Sequence, residues 1–128
     1  MRALPGDVHQ KLLRSVRAAL AADSMLGPWF EQTESAARPP LVIEDFESAP
    51  WASMTFSGMR HSLSVKLSGP QMEVESAYDR LQAVLTDPQF DLGSHFLAEL
   101  EVRHVEAALD LDGGMTMAVT IEALTIEE

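Results

Sequence analysis

Arg60-His61-Ser62-Leu63-Ser64-Val65-Lys66-Leu67-Ser68 alternates without a break, and Gly69-Pro70 ends the alternation. His61, Leu63, Val65 and Leu67 fall on one side, with Arg60, Ser62, Ser64, Lys66 and Ser68 on the other. A period of two marks a strand with one buried and one wet face. Past Pro70 the period changes. Val74, Ala77, Tyr78, Leu81, Val84 and Leu85 follow the three-and-four spacing of a helix with one apolar stripe. Pro70 suits the first helical position, where its missing N–H would have had no partner. Glu73 and Glu75 place negative charge at the positive helix end. Thr86-Asp87-Pro88 closes the helix, because a residue before proline avoids helical angles. The reading is strand, tight turn, helix, with the helix laid back over the sheet.

The flanking segments supply partners for these two apolar faces. Asp7 and Gln10 form a capping-box pattern ahead of Val8, Leu12, Leu13, Val16, Ala19 and Leu20, which recur at helical spacing. Lys11, Arg14 and Arg17 take the polar face of this helix. They read either as a solvated face or as a positive patch for an acidic partner or a neighbouring subunit. Met25 to Phe30, interrupted by Gly27-Pro28, reads as a helix end and a turn that packs Trp29 or Phe30 on the core. Ser35 to Pro40 is a loop by composition. Leu41 to Phe46 reads as a short, mostly buried strand. Glu47 to Gly58 holds Pro50, Trp51 and Phe56 without a clean period, and reads as a long exposed connection.

Gln89 to Ser94 is a turn region, and His95 to Asp110 reads as a long strand. Ala98, Leu100 and Val102 point one way. Beyond Arg103-His104 the apolar parity moves to Val105, Ala107, Leu109 and Leu111, the mark of a bulge or bend. Asp112-Gly113-Gly114 is a hairpin turn. Met115, Met117, Val119 and Ile121 lie on the return strand. The expected fold is a single α+β domain over residues 1–128. It has a mostly antiparallel four-stranded sheet and two helices packed on it, in the order α-β-β-α-β-β.

Composition narrows the function classes. Nine Lys and Arg against 20 Asp and Glu give a net charge of −11. A chain that grips nucleic acid must neutralise phosphates, so most of this surface would repel DNA. Anionic membrane surfaces are disfavoured on the same ground. The excess acid lies late: after Arg80 the one basic residue is Arg103. There is no cysteine, which removes disulfides, thiol nucleophiles and thiolate metal sites. No apolar run reaches the roughly 18 residues of a spanning helix, and no secretion signal follows Arg2. His9, His61, His95 and His104 make no ligand spacing. Asp110-Leu111-Asp112-Gly113 starts like a calcium loop but has Ile121 where the bidentate Glu belongs. Nucleophile elbows and phosphate-binding glycine loops are missing too. The expectation is a protein that is not an enzyme and has no cofactor or metal, working through its surfaces.

The order of elements carries a resemblance. A helix rich in small and basic residues (Lys11 to Asp23) leads to an apolar turn. A strand opened by Arg38-Pro39-Pro40 follows, then a strand ending in a turn, the acidic-start helix from Glu73 to Leu81, and a closing hairpin. Over nearly the whole chain this resembles the tail-completion family of long-tailed phages, which includes the tail terminators of gene transfer agents. The resemblance implies a structural virion protein, made in the bacterial cytoplasm, that assembles with itself as a ring of six copies. The ring would sit at the head-proximal end of the tail, end the tail tube and join it to the head connector protein. DNA would pass without specific binding. Lys11, Arg14, Arg17, Trp51 and Phe56 are the candidate subunit-interface residues, and no catalytic residue carries over. The alternative is a small acidic adaptor that binds a protein through the aromatic loops around Trp29–Phe30 and Trp51–Phe56. A small enzyme or ligand-binding protein with a deep pocket is the third reading.

Overall fold

A computed structural model describes residues 5–31, 40–86, 88 and 90–128. Seven elements follow one another: α1 (Pro5–Ala22), α2 (Leu26–Glu31), β1 (Leu41–Ala52), β2 (Ser57–Pro70), α3 (Gln71–Val84), β3 (His95–Leu109) and β4 (Gly114–Glu127). The four strands form one sheet in the order β1-β2-β4-β3, with every neighbouring pair antiparallel. The α+β class and the mostly antiparallel sheet are as expected. The helix count is one higher, because α2 is a helix of six residues and not a turn.

The alternation in β2 places its two faces as read. Met59, His61, Leu63, Val65 and Leu67 are buried under the helices, and Arg60 and Lys66 lie on the open face. Opposite them, Met115, Met117, Val119, Ile121 and Ala123 of β4 continue the same buried floor. Val8, Leu12, Val16 and Leu20 of α1 pack on it, as do Val74, Ala77 and Leu81 of α3. Truncating one such leucine to alanine would cost about 2–5 kcal/mol. Trp29 packs against this core, close to Gly69, while the Phe30 side chain lies outside the described residues.

Three expectations about boundaries change. Pro70 ends β2 and caps α3 with an extended ψ of 142°, so the first helical residue is Gln71. The helix stops at Val84, with Leu85 as its cap. Asp87 and Gln89, like the loop over 35–39, lie outside the described residues. The largest change is in β1. The segment expected to be a long connection is strand as far as Ala52, and the turn is only residues 53–56. A bulge between Ile43 and Asp45 resets the alternation, and the later core-side positions are held by Ser48 and Pro50. The core-side face of the distal strand is therefore polar or imino, and no apolar period marks it.

The bulge anticipated in β3 is present, between Val102 and His104. A second one lies between Leu97 and Glu99, so Leu97 and not Ala98 shares the core side with Leu100 and Val102. Bulges bend a strand and increase its local twist.

Candidate interaction surfaces

The sheet has one covered and one open face. Across the open face run Asp45 and Glu47 of β1, Arg60 and Lys66 of β2, Glu122 of β4, and Glu99, Glu101 and Glu106 of β3. Carboxylates outnumber cations here. Arg103 bridges Glu101 at 2.6 Å and Glu122 at 3.0 Å, and Lys66 sits 3.8 Å from Glu44. These pairs are about half exposed, and such surface pairs contribute little to stability. Their effect is to leave a water-facing, net acidic floor with Arg103 and Lys66 engaged by its carboxylates.

One end of the open face differs. Trp51, Gly58, Ile126 and Phe96 form a single row across all four strands. Leu124 in the next row is nearly buried despite facing away from the helices. Gly58 is required there: a Cβ would run into the Thr125 carbonyl oxygen of β4. Beyond the row, the β1–β2 turn projects Met54, fully exposed, and Phe56, 55% exposed. Ser53 closes this turn, accepting a hydrogen bond from the Phe56 N–H at its side-chain oxygen. Trp51 and Phe56 are thus brought to the same end of the sheet.

Lys11, Arg14 and Arg17 lie on the other side of the molecule, all exposed on α1. They do not form one patch with Trp51 and Phe56, because the sheet separates them. Lys11 is turned toward the loop before β3, where its Nζ closes over Gly93. Arg14 and Arg17 remain on the outward face.

Sequence reasoning missed a chain of hydrogen bonds that pins α1 to the sheet. His9 Nδ1 lies 2.6 Å from Ser48 Oγ, which lies 2.6 Å from His61 Nδ1. His61 Nε2 lies 2.9 Å from Thr125 Oγ1, and that hydroxyl donates to the Met59 carbonyl. The last bond sets the polarity of the rest. His61 Nε2–H donates to Thr125, so His61 Nδ1 accepts from the Ser48 hydroxyl, and Ser48 accepts from His9 Nδ1–H. Phe46 stacks between the two imidazoles, 4.4 Å from His9 and 5.8 Å from His61. Burial, with His9 and His95 nearby, pushes the His61 pKa down to about 4. A buried imidazole held neutral in this way orients a helix without carrying charge.

A second tie joins the helices. Asp23 follows α1 and accepts from the Met25 and Leu26 N–H groups, capping α2. Arg80 of α3 reaches the same carboxylate with two nitrogens at 2.6 Å. The Arg80 hydrogen bond and the two backbone donors outweigh desolvation and hold the Asp23 carboxyl below its usual value.

Among the described residues, no group of three or more His, Asp or Glu side chains is placed to hold a metal ion, and no helix is long and apolar enough to cross a membrane. No family model matches the sequence, and no curated protein matches it. The fold is similar to that of a chain in the structure described as "Virion of native gene transfer agent (GTA) particle", with a TM-score of 0.72 and 15% identity. That match covers 93% of this chain and 97% of the other, so the two share one α+β fold over nearly their whole lengths.

Proposed function

We propose that this chain is a structural virion subunit of a phage or gene transfer agent. In this reading it forms a ring that ends the tail tube and joins it to the head connector. The observation that carries the reading is the fold shared end to end with a chain of a gene transfer agent virion. The sheet topology supports it. In the order β1-β2-β4-β3 with all neighbours antiparallel, the two edge strands run in opposite directions. A second copy added head to tail therefore brings β1 antiparallel to the first copy's β3, with the open face still on the same side. Head-to-tail contacts close into rings when the rotation allows it, and strand-edge pairing supplies the bonds. Six copies would enclose a channel walled by the acidic open face, which would repel the DNA backbone and let it pass.

The second reading, an adaptor, is favoured by the exposed Met54 and Phe56 at the β1–β2 turn. In the ring reading the same turn projects from one end, where a tail tube or connector would meet it.

Native mass spectrometry across protein concentration, alone and with purified tail tubes, tests the ring. The expected result is one closed multimer, free or on the tube end. A monomer that never associates, even with tubes present, would remove the ring reading and leave the adaptor.

A further inference from the structure

The helix layer leaves part of the sheet uncovered. α3 packs on β2 and β4, and α1 lies on the β1 side, where His9 meets Phe46 and Ser48. Past the bulge between Val102 and His104, no helix among the described residues lies over β3. Val105, Ala107 and Leu109 face the helix side, in register with the buried Val119, Met117 and Met115, yet Leu109 is 62% exposed. A cleft of roughly 320 Å³ opens where Gln82 of α3, with Leu85 and Thr86 just after the helix, faces Leu100 and Val102 of β3. Residues three and seven before Gln82 share its flank of the helix. They are Asp79 and Glu75, both exposed. The groove thus has an apolar floor and an acidic wall.

We propose that this groove seats helix α1 of a second copy. The proposal deepens the ring reading and rests on it. Continuing the sheet from β3 into the next copy's β1 brings that copy's α1, on the same side, over the bare part of β3. Charge favours the fit, since α1 exposes Arg14 and Arg17 while the facing wall carries Asp79 and Glu75. Half-buried Leu13 lies on the β1-side flank of α1, between Gln10 and Arg17 in helical spacing, and gives that flank an apolar contact. The positions correspond along the groove. α1 runs away from the β1–β2 turn end of the sheet and α3 runs toward it. Gln10 would therefore lie near Gln82, Arg14 near Asp79, and Arg17 near Glu75. The acidic residues of the open sheet face, Glu99, Glu101, Glu106 and Glu122 among them, point away from α1, so α3 supplies the complementary charge.

Because the chain has no cysteine, the contact can be read by disulfide trapping without background. Gln10→Cys protein is mixed with Gln82→Cys protein and oxidised mildly, at concentrations where native mass shows association of the wild type. The expected result is a mixed disulfide dimer well above the share that random collision gives. Arg14→Glu with Arg17→Glu in the first protein should lower its yield roughly five-fold. Glu75→Lys with Asp79→Lys in the second should restore it. A random mixture of the three possible dimers, or a yield indifferent to the charge swaps, overturns the proposal. Closed wild-type rings without the mixed disulfide would remove the groove contact and keep the ring. A mixed disulfide in open chains of unlimited length would do the reverse. Neither association nor disulfide at any concentration would remove both.

Discussion

His61 shows how one side chain couples pH to the fold. Unfolded, it binds a proton near pH 6.5, and folded near pH 4, because burial and two neighbouring histidines disfavour the charge. Between those values the unfolded chain holds more protons, so stability falls as the pH falls. The contribution is complete above about pH 6.5 and lost by about pH 4. It amounts to something on the order of 3 kcal/mol. Urea unfolding from pH 7.5 to 4 should show this slope, and His61→Gln should flatten it while lowering stability at pH 7.5. An equal slope in the variant would assign the titration to another group. The serine explains why the chain is sensitive: Ser48 has one hydroxyl proton between two imidazoles. With His61 protonated, its Nδ1–H and that of His9 would both donate to the same oxygen, and the serine hydroxyl would have no acceptor there.

At the scale of elements, one carboxylate directly after α1 ties α2 to α3 beside the shared apolar core. Asp23 caps α2 and receives Arg80, and its side chain is almost fully buried while that of Arg80 is half exposed. Asp23→Ala should cost about 2 kcal/mol, the sum of a lost cap and a lost charged hydrogen bond, as read by thermal or urea unfolding. Since the folded pKa lies below the usual 3.8, the stability this group supplies is present above about pH 4 and fails as the pH drops through its folded value. Acid unfolding should therefore have two stages, His61 first and Asp23 after it. Asp23→Asn should remove the second stage and keep most of the cap.

For the whole molecule, a net charge of −11 works against assembly. The long-range part of that repulsion is screened with a Debye length near 30 Å at 0.01 M salt and about 8 Å at 0.15 M. Native mass or light scattering should show the multimer fraction rising over that range. The attraction proposed between Arg14, Arg17 and the Glu75–Asp79 wall is local and screened less. A multimer fraction that falls with salt would mean that surface attractions outweigh net repulsion, contrary to this expectation.

How much of this was legible along the chain differs from element to element. Where burial is one-sided and continuous, the side-chain period states it directly. The faces of β2, the extent of α3 to within one or two residues and the parity shift at Arg103–His104 are legible, because every second or every third-to-fourth position there carries an apolar group; β2 itself runs three residues before and two beyond the alternating stretch, from Ser57 to Pro70. β1 beyond Phe46 was not legible, since its core side holds Ser48 and Pro50 and its aromatic, Trp51, faces the open side. Both have neighbours that account for them: half-buried Ser48 serves two histidines, and Trp51 is paired with Gly58, which has no side chain. The candidate cations were visible as a helical face, but their separation from Trp51 and Phe56 depends on which side of the sheet α1 packs. The His9–Ser48–His61–Thr125 chain joins residues from α1 and three strands, the farthest pair 116 apart in number, and no local pattern announces it. Local sequence thus determined which residues form strands and helices and which faces they bury, because periodicity is a local property. Strand order, the opposed edges and the uncovered stretch of β3 were decided only by the tertiary structure, because they depend on which distant segments pair and where two helices leave the sheet bare.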